Sequence, residues 1–266
     1  VERWQDRHLS AQALSTYQTC ALRFKFRYVD NLFWSKLWGS APADRAALER
    51  GQAFHLMARR YYMGLDPAQL ADPLEQKELE AWMQLLTGFL PRSFDPLFYP
   101  ELELRLNRPD LKFMAKFDLV VVDPDGRATI FDWKTEKRMP RRSYLQKSAQ
   151  TLVYRYMLCE AGGAYSPRGR FRPDEVTMIY WNPLFPSKWE RMAYSETQFH
   201  KDQGYLQELS ARILHTAPDM FLATTNEAAC RSCEYQMVCH GRRSEQVETD
   251  DEESLLAMTL SWDLMP

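Results

Sequence analysis

The sequence has no apolar run long enough to span a membrane, and no signal-peptide pattern opens it, so neither a membrane-embedded nor an exported chain is expected. It has no internal repeat and no low-complexity segment, which excludes solenoid and fibrous architectures. Cysteine is scarce and odd in number: five in 266 residues, three of them clustered. A secreted disulfide framework does not fit that usage, whereas a reducing, cytoplasmic setting with a metal site does. Positive charge is missing from residues 244–266, which hold seven acids and no Lys or Arg. The net charge of −2 therefore divides into an acidic tail and a mildly basic body. A basic body is compatible with phosphate contacts. What is present, 45% hydrophobic and 26% charged residues, suits a soluble globule with an ample core.

Helical spacing of apolar residues predicts a helix over 10–28 with Ser10 as its N-cap, a second over 44–63 stopped by Gly64, and a third over 74–90 stopped by Pro91. The period then changes. Leu102, Leu104 and Leu106 alternate with Glu101, Glu103 and Arg105, as in a half-buried strand. "LKFMAKFDLVVVD" and "RATIFDWKT" read as two more strands joined by Asp123-Pro124-Asp125-Gly126. A helix is expected from Ser143 to about Glu160 with a Ser143/Gln146 capping box, then a strand at 175–182 and a helix at 196–215. This order predicts a mixed α/β domain wrapped by helical material from both termini.

The turn between the two strands sets their register. Asp, Pro and Gly at its first, second and fourth positions suit a type I turn closed by a left-handed glycine. Asp123 then faces Arg127, and counting back puts Asp118 across from Asp132. Lys134 lies two residues beyond Asp132 and projects from the same face of the sheet. Two carboxylates about 5 Å apart repel unless a cation sits between them. Mg²⁺ or Mn²⁺ suits such a pair, taking hard oxygens and leaving positions for water and phosphate. Lys134 beside that cation could activate water or neutralise charge in a phosphoryl transition state. Glu103, on the preceding strand, is a lesser candidate for a metal contact. Asp123 and Asp125 read as turn residues. Arg138, Arg141, Arg142 and Lys147 flank the hairpin and its helix, where a phosphate backbone would pass.

Near the C-terminus, "CRSCEYQMVC" holds Cys230, Cys233 and Cys239, a metal-like triplet without a local fourth ligand. Cys20 and Cys159 are the remaining thiols, and His240 is a further possible donor. A four-thiolate set can hold zinc or an iron–sulfur cluster.

Together these motifs resemble the PD-(D/E)XK nuclease superfamily. "FDLVVVDPDGRATIFDWKT" is similar to its core, and "DWKT" to the form found in the RecB-like branch. "QTLVY" is similar to the QxxxY motif of that branch, and "GQAFH" to its GxxxH helix motif. The resemblance covers about residues 10–240, with one departure: Ala115-Lys116 precedes Phe117-Asp118 where the family often has glycine.

The resemblance implies a restriction-endonuclease-like fold, a mixed central sheet flanked by helices. It also implies a metal held by Asp118, Asp132 and His55, with Lys134, Gln150 and Tyr154 as further catalytic residues. Branch members with a [4Fe-4S] cluster, AddB-type and CRISPR-associated RecB-like exonucleases, place one Cys before the core and three after it. Cys20, Cys230, Cys233 and Cys239 match that layout, and "TCALRFKFRYV" resembles the sequence around the first. A cluster there would be structural and join the N- and C-terminal helical segments across the core.

The expected protein is a single nuclease domain over 1–243, core about 44–215, followed by a flexible acidic tail at 244–266. The expected function is a metal-dependent deoxyribonuclease, an exonuclease on single-stranded DNA or DNA ends in CRISPR adaptation or recombination and repair. The alternative is a DNA-end-binding subunit whose activity depends on a helicase or integrase partner.

Overall fold

The computed structural model describes residues 4–32, 42–66, 73–231 and 233–241. The acidic tail of the sequence reading lies outside them. Asp123 and Arg127 close the central hairpin as the turn chemistry requires, with Asp123 N–H donating to the Arg127 carbonyl at 2.9 Å and Gly126 at φ +83°. The flanking strands are β4 (Leu119–Val122) and β5 (Ala128–Trp133), with Leu119 opposite Phe131 and Val122 opposite Ala128. Continued by one step, that register sets Asp118 across from Asp132.

Around this hairpin runs a five-stranded sheet in the order β1-β4-β5-β6-β7, with β1 at Leu97–Pro100, β6 at Val176–Trp181 and β7 at Glu190–Ala193. Only β5 and β6 are parallel, so the sheet is mixed. Their crossover runs through α5 (Arg142–Leu145) and α6 (Ala149–Ala161). Alternation along β5 divides the core. Ala128 and Ile130 join the cluster under α6, while Phe131 and Trp133 join Phe54, Tyr62 and Trp82 under α3 (Pro42–Met63) and α4 (Pro73–Phe89). The sheet thus lies between two helical layers, the mixed α/β architecture expected. A separate two-stranded sheet, β2 (Glu103–Arg108) and β3 (Leu111–Lys116), packs with α6 and α7 (Glu196–His215). Among the described residues no helix is long and apolar enough to cross a membrane.

Five elements depart from the sequence reading, the first being β1, a strand of its own that ends at Pro100 before β2 begins at Glu103. The helix expected over 10–28 breaks at Cys20, whose extended backbone (φ −160°, ψ 113°) ends α1 (Ala11–Thr19) and caps α2 (Ala21–Phe24), with a π-turn at Lys25–Val29 beyond. Ser10 does cap α1, accepting from Ala13 N–H at 3.2 Å. The long strand over 111–123 bends at Asp118 and divides between the two sheets, its buried alternation ending at Phe117 and giving way to four consecutive buried residues. The helix from Ser143 splits in two. Ser148, not Ser143, caps the longer half by accepting from Thr151 N–H at 3.2 Å. Strand β7 has no sequence counterpart, since its "ERMA" buries only Met192 and carries no apolar alternation.

Candidate active site and thiol pocket

Position follows from the bend. Asp118 leaves the strand ladder, and its carbonyl accepts from Glu101 N–H at 3.0 Å while its Oδ2 accepts from Trp133 N–H at 2.7 Å. Both contacts hold its carboxylate over the end of β5. Its Oδ1 lies 3.2 Å from His55 Nδ1, on α3. Asp132 Oδ1 lies 2.7 Å from Lys134 Nζ, and Asp132 Oδ2 accepts from Gln150 Nε2 at 2.5 Å. Lys134 Nζ donates in turn to Gln150 Oε1 at 3.0 Å and stands 5.3 Å from the centre of the Tyr180 ring. Gln150 thus bridges Asp132 and Lys134 from the first turn of α6. Five of the six predicted residues therefore gather at the C-terminal end of β5, between the two helical layers. The sixth, Tyr154, packs behind them against Phe117 at 4.9 Å.

Charge follows from burial. The Asp132 and Lys134 side chains are 4% and 2% exposed. Burial, reinforced by Asp118, pushes the Asp132 carboxyl up to about 6 despite the Lys134 charge beside it. Burial would also raise Asp118, but His55 and the Trp133 N–H outweigh it and hold that carboxyl below its ordinary value. Burial of Lys134 works against its charge, yet Asp132, Glu136 and Tyr180 prevail and raise its pKa, so it stays an ammonium. His55 is raised for the same reason, its desolvation outweighed by Asp118.

One acid near the site went unread in the sequence. Glu101, not Glu103, is the acid that faces the site. Glu103 pairs with Arg105 at 2.7 Å on an exposed strand face, whereas Glu101 adopts φ +53°, pairs with Lys116 at 2.5 Å and adds to the field that raises His55. The signal would have been the Pro100 before it, but strand alternation gave both acids the same standing. Gly51, one helical turn before His55 and expected from the sequence to permit close packing, does so: a Cβ there would meet Thr135 Oγ1 at 2.7 Å. Glycine thus lets α3 approach the residue after Lys134 and bring His55 to Asp118. Of the flanking cations, Arg142 pairs with Glu190 at 2.9 Å, and Arg138, Arg141 and Lys147 are exposed. Asp123 and Asp125 lie in the turn as expected, with Asp125 Oδ1 accepting from Arg127 N–H at 3.2 Å.

A second group of reactive side chains gathers where residues 19–23 meet residues 223–240. Cys20, Cys230, Cys233 and Cys239 line one pocket together with Arg23 and His240, and Cys159 is not among its walls. Burial pushes Cys233 up to about 11 and raises Cys230 and Cys239, the neighbouring thiols adding to it. Around the pocket further contacts join residues 23–32 to residues 221–235. Arg23 Nη2 lies 2.7 Å from Glu234 Oε2 in a buried ion pair, Phe24 stacks on Phe221 at 5.8 Å, and Tyr235 OH donates to the Leu32 carbonyl at 2.6 Å. Among the described residues, no group of three His, Cys, Asp or Glu side chains is arranged to hold a metal ion, at this pocket or at the acids.

Asp118 and Asp132 thus face one another across the strand register, with the buried Lys134 beside Asp132. A family model described as PD-(D/E)XK nuclease superfamily matches residues 8–240, and the chain belongs to that superfamily. Among solved structures, one titled "Crystal structure of SSO0001" aligns at 11% identity and a TM-score of 0.41, covering 89% of this chain and 87% of that one. No curated protein sequence matches the chain.

Proposed function

We propose that the protein is a divalent-metal-dependent deoxyribonuclease, an exonuclease acting on single-stranded DNA or DNA ends. The observation that carries this reading is the Asp132–Gln150–Lys134 bridge facing Asp118 across the strand register. The donors suit Mg²⁺ or Mn²⁺: two carboxylates and an imidazole, one carboxyl held near 6 by a burial penalty that a cation would relieve. Asp118, Asp132 and His55 would hold the ion, exchanging their present partners for it. Bound there, the ion supplies Lewis-acid polarisation of the scissile phosphate and of a water.

The chain's own residues do the rest. Lys134, held charged, is suited to neutralising the oxygens of the phosphoryl transition state rather than to removing a proton. Gln150 fixes the Lys134 ammonium against Asp132 by accepting from one and donating to the other. His55 ties α3 to the site through Asp118. Tyr154 backs this arrangement from the following turn of α6.

The thiol pocket supports a [4Fe-4S] cluster on Cys20, Cys230, Cys233 and Cys239, and with it membership of the RecB-like iron–sulfur branch. Four thiols from both chain ends converge, and Arg23 at the pocket wall offsets thiolate charge. In this reading residues 1–243 form one nuclease domain working in a reducing, cytoplasmic setting, in CRISPR adaptation or DNA repair, with a helicase or integrase as partner.

End-labelled single- and double-stranded DNA, incubated with purified protein and Mn²⁺ or Mg²⁺, tests the proposal. Stepwise shortening that stops on chelation and in Asp132→Ala and Lys134→Ala is expected. Cleavage that survives both substitutions overturns the site assignment, and internal cuts in a circular single strand overturn the exonuclease reading.

A further inference from the structure

On the nuclease reading above, we infer that Trp189 is a stacking platform for a base of a single-stranded substrate beside the scissile phosphate. Trp189 is a large apolar side chain left 45% exposed, at the end of the sheet that carries the catalytic residues. Lys134 N–H donates to the Trp181 carbonyl at 2.8 Å, and the β6–β7 register, in which Tyr180 faces Glu190, continues to set Trp181 against Trp189. Two strand spacings, about 10 Å, therefore separate the Trp189 and Lys134 backbones.

The indole is braced rather than loose. Phe89 packs against it at 6.2 Å and stacks on Trp181 at 5.3 Å, so one side of Trp189 rests on an aromatic wall. The loop that carries it, between β6 and β7, is folded on itself: Leu184 N–H donates to Asn182 Oδ1 at 2.8 Å and Lys188 N–H to the Phe185 carbonyl at 2.8 Å. Both of its ends are tied to the segment after Lys134. Asn182 Nδ2 donates to the Glu136 carbonyl at 2.9 Å, and Glu190 pairs with Arg142 at 2.9 Å. An aromatic held this rigidly pays little entropy when a base covers it.

Charge selects the occupant. Lys188 is exposed next to Trp189, and Lys137, Arg138, Arg141 and Lys147 are exposed on the segment tied to the loop. An apolar ring within a cationic surface suits a strand with a flat base and a phosphate backbone, and disfavours an apolar protein partner. Trp189 faces the α4 layer whereas Lys134 faces α6. The site itself spans both layers, with His55 contributed by α3 and Gln150 by α6. A strand crossing the sheet end from one layer to the other meets both. A duplex, with its bases stacked inside, gains nothing from the indole.

The test is steady-state cleavage of a single-stranded oligonucleotide with Mn²⁺ by the wild type, Trp189→Ala and Trp189→Phe, repeated with one abasic site stepped along the strand. Trp189→Ala is expected to raise KM about 5- to 150-fold, the worth of one stacked base, with kcat nearly unchanged and Trp189→Phe largely retaining affinity. One abasic position is expected to reproduce the loss in the wild type and to add nothing in Trp189→Ala. Equal KM for the wild type and Trp189→Ala, or a loss in Trp189→Ala that no abasic position abolishes, overturns the inference while leaving the nuclease reading intact. A wild type that neither binds nor cleaves DNA overturns both.

Discussion

Gly51 and Thr135 touch: a Cβ placed on the glycine would lie 2.7 Å from the threonine Oγ1. One helix of the α3/α4 layer and the strand end that carries Lys134 are held at a separation that only glycine permits. Gly51→Ala is therefore expected to overpack the contact, at a cost of about 1–3 kcal/mol in stability. Nuclease activity should fall further than stability, because α3 carries His55 to Asp118. Removing the obstructing hydroxyl in Gly51→Ala/Thr135→Ala should recover most of the stability, measured by urea denaturation of each variant. A double variant no more stable than Gly51→Ala would refute the contact.

Asp132 binds its proton more tightly than an ordinary aspartate, with a value of about 6 set first by burial. The sign follows from linkage. A carboxyl raised in the folded state contributes most to stability when protonated, below the unfolded value near 4, and that contribution is lost as pH rises through about 6. A cation reverses the preference by favouring the carboxylate. Binding of Mn²⁺ is therefore expected to release the Asp132 proton below about pH 6, together with the proton of His55, whose pKa is also raised, and to weaken up to about a hundredfold for each pH unit lowered there. Calorimetry in two buffers of different ionisation enthalpy checks it, and a buffer-independent heat at pH 5 would contradict it.

Lys134 keeps its proton, so its role and its titration separate cleanly. Cleavage is expected to show no alkaline limb attributable to loss of the Lys134 charge up to about pH 9, because the Lys134 pKa is raised rather than lowered. Lys134→Gln should reduce kcat by about 100- to 1,000-fold, the usual effect of removing one charge-stabilising donor. A pH–rate profile of the wild type together with single-turnover rates of the variant tests both statements. Full activity in Lys134→Gln would remove the residue from the mechanism.

The central hairpin was legible because its information is local. Asp-Pro-Asp-Gly dictates one turn geometry, the turn dictates the register, and the register delivers Asp118 to Asp132. Tertiary demands were not legible. The bend at Asp118 arises from long-range hydrogen bonds to Glu101 and Trp133, which no periodicity encodes. The break at Cys20 falls in a sequence with continuous helical spacing, and only the pocket it serves gives it a reason. Glu101 was missed for a related cause: its left-handed backbone turns it towards the site, while the strand pattern treats Glu101 and Glu103 alike.

The sequence reading had a cluster join the N- and C-terminal segments, and Arg23 and Glu234 also join them, their side chains 10% and 1% exposed. Arg27 approaches the same carboxylate at 3.8 Å. Neutralising Glu234 leaves two buried guanidinium groups without their shared anion, a loss of about 3–5 kcal/mol for a buried pair. Cys20→Ser removes one pocket thiol yet leaves the ion pair, the Phe24–Phe221 stack and the Tyr235–Leu32 hydrogen bond in place. The two substitutions should therefore part company. Cys20→Ser is expected to lose bound iron while its terminal segments still resist limited proteolysis. Glu234→Ala is expected to expose both segments to protease even when iron is supplied during growth. Iron content and proteolytic fragments, read on the same preparations, decide it: early cutting in Cys20→Ser would return the clasp to the cluster alone.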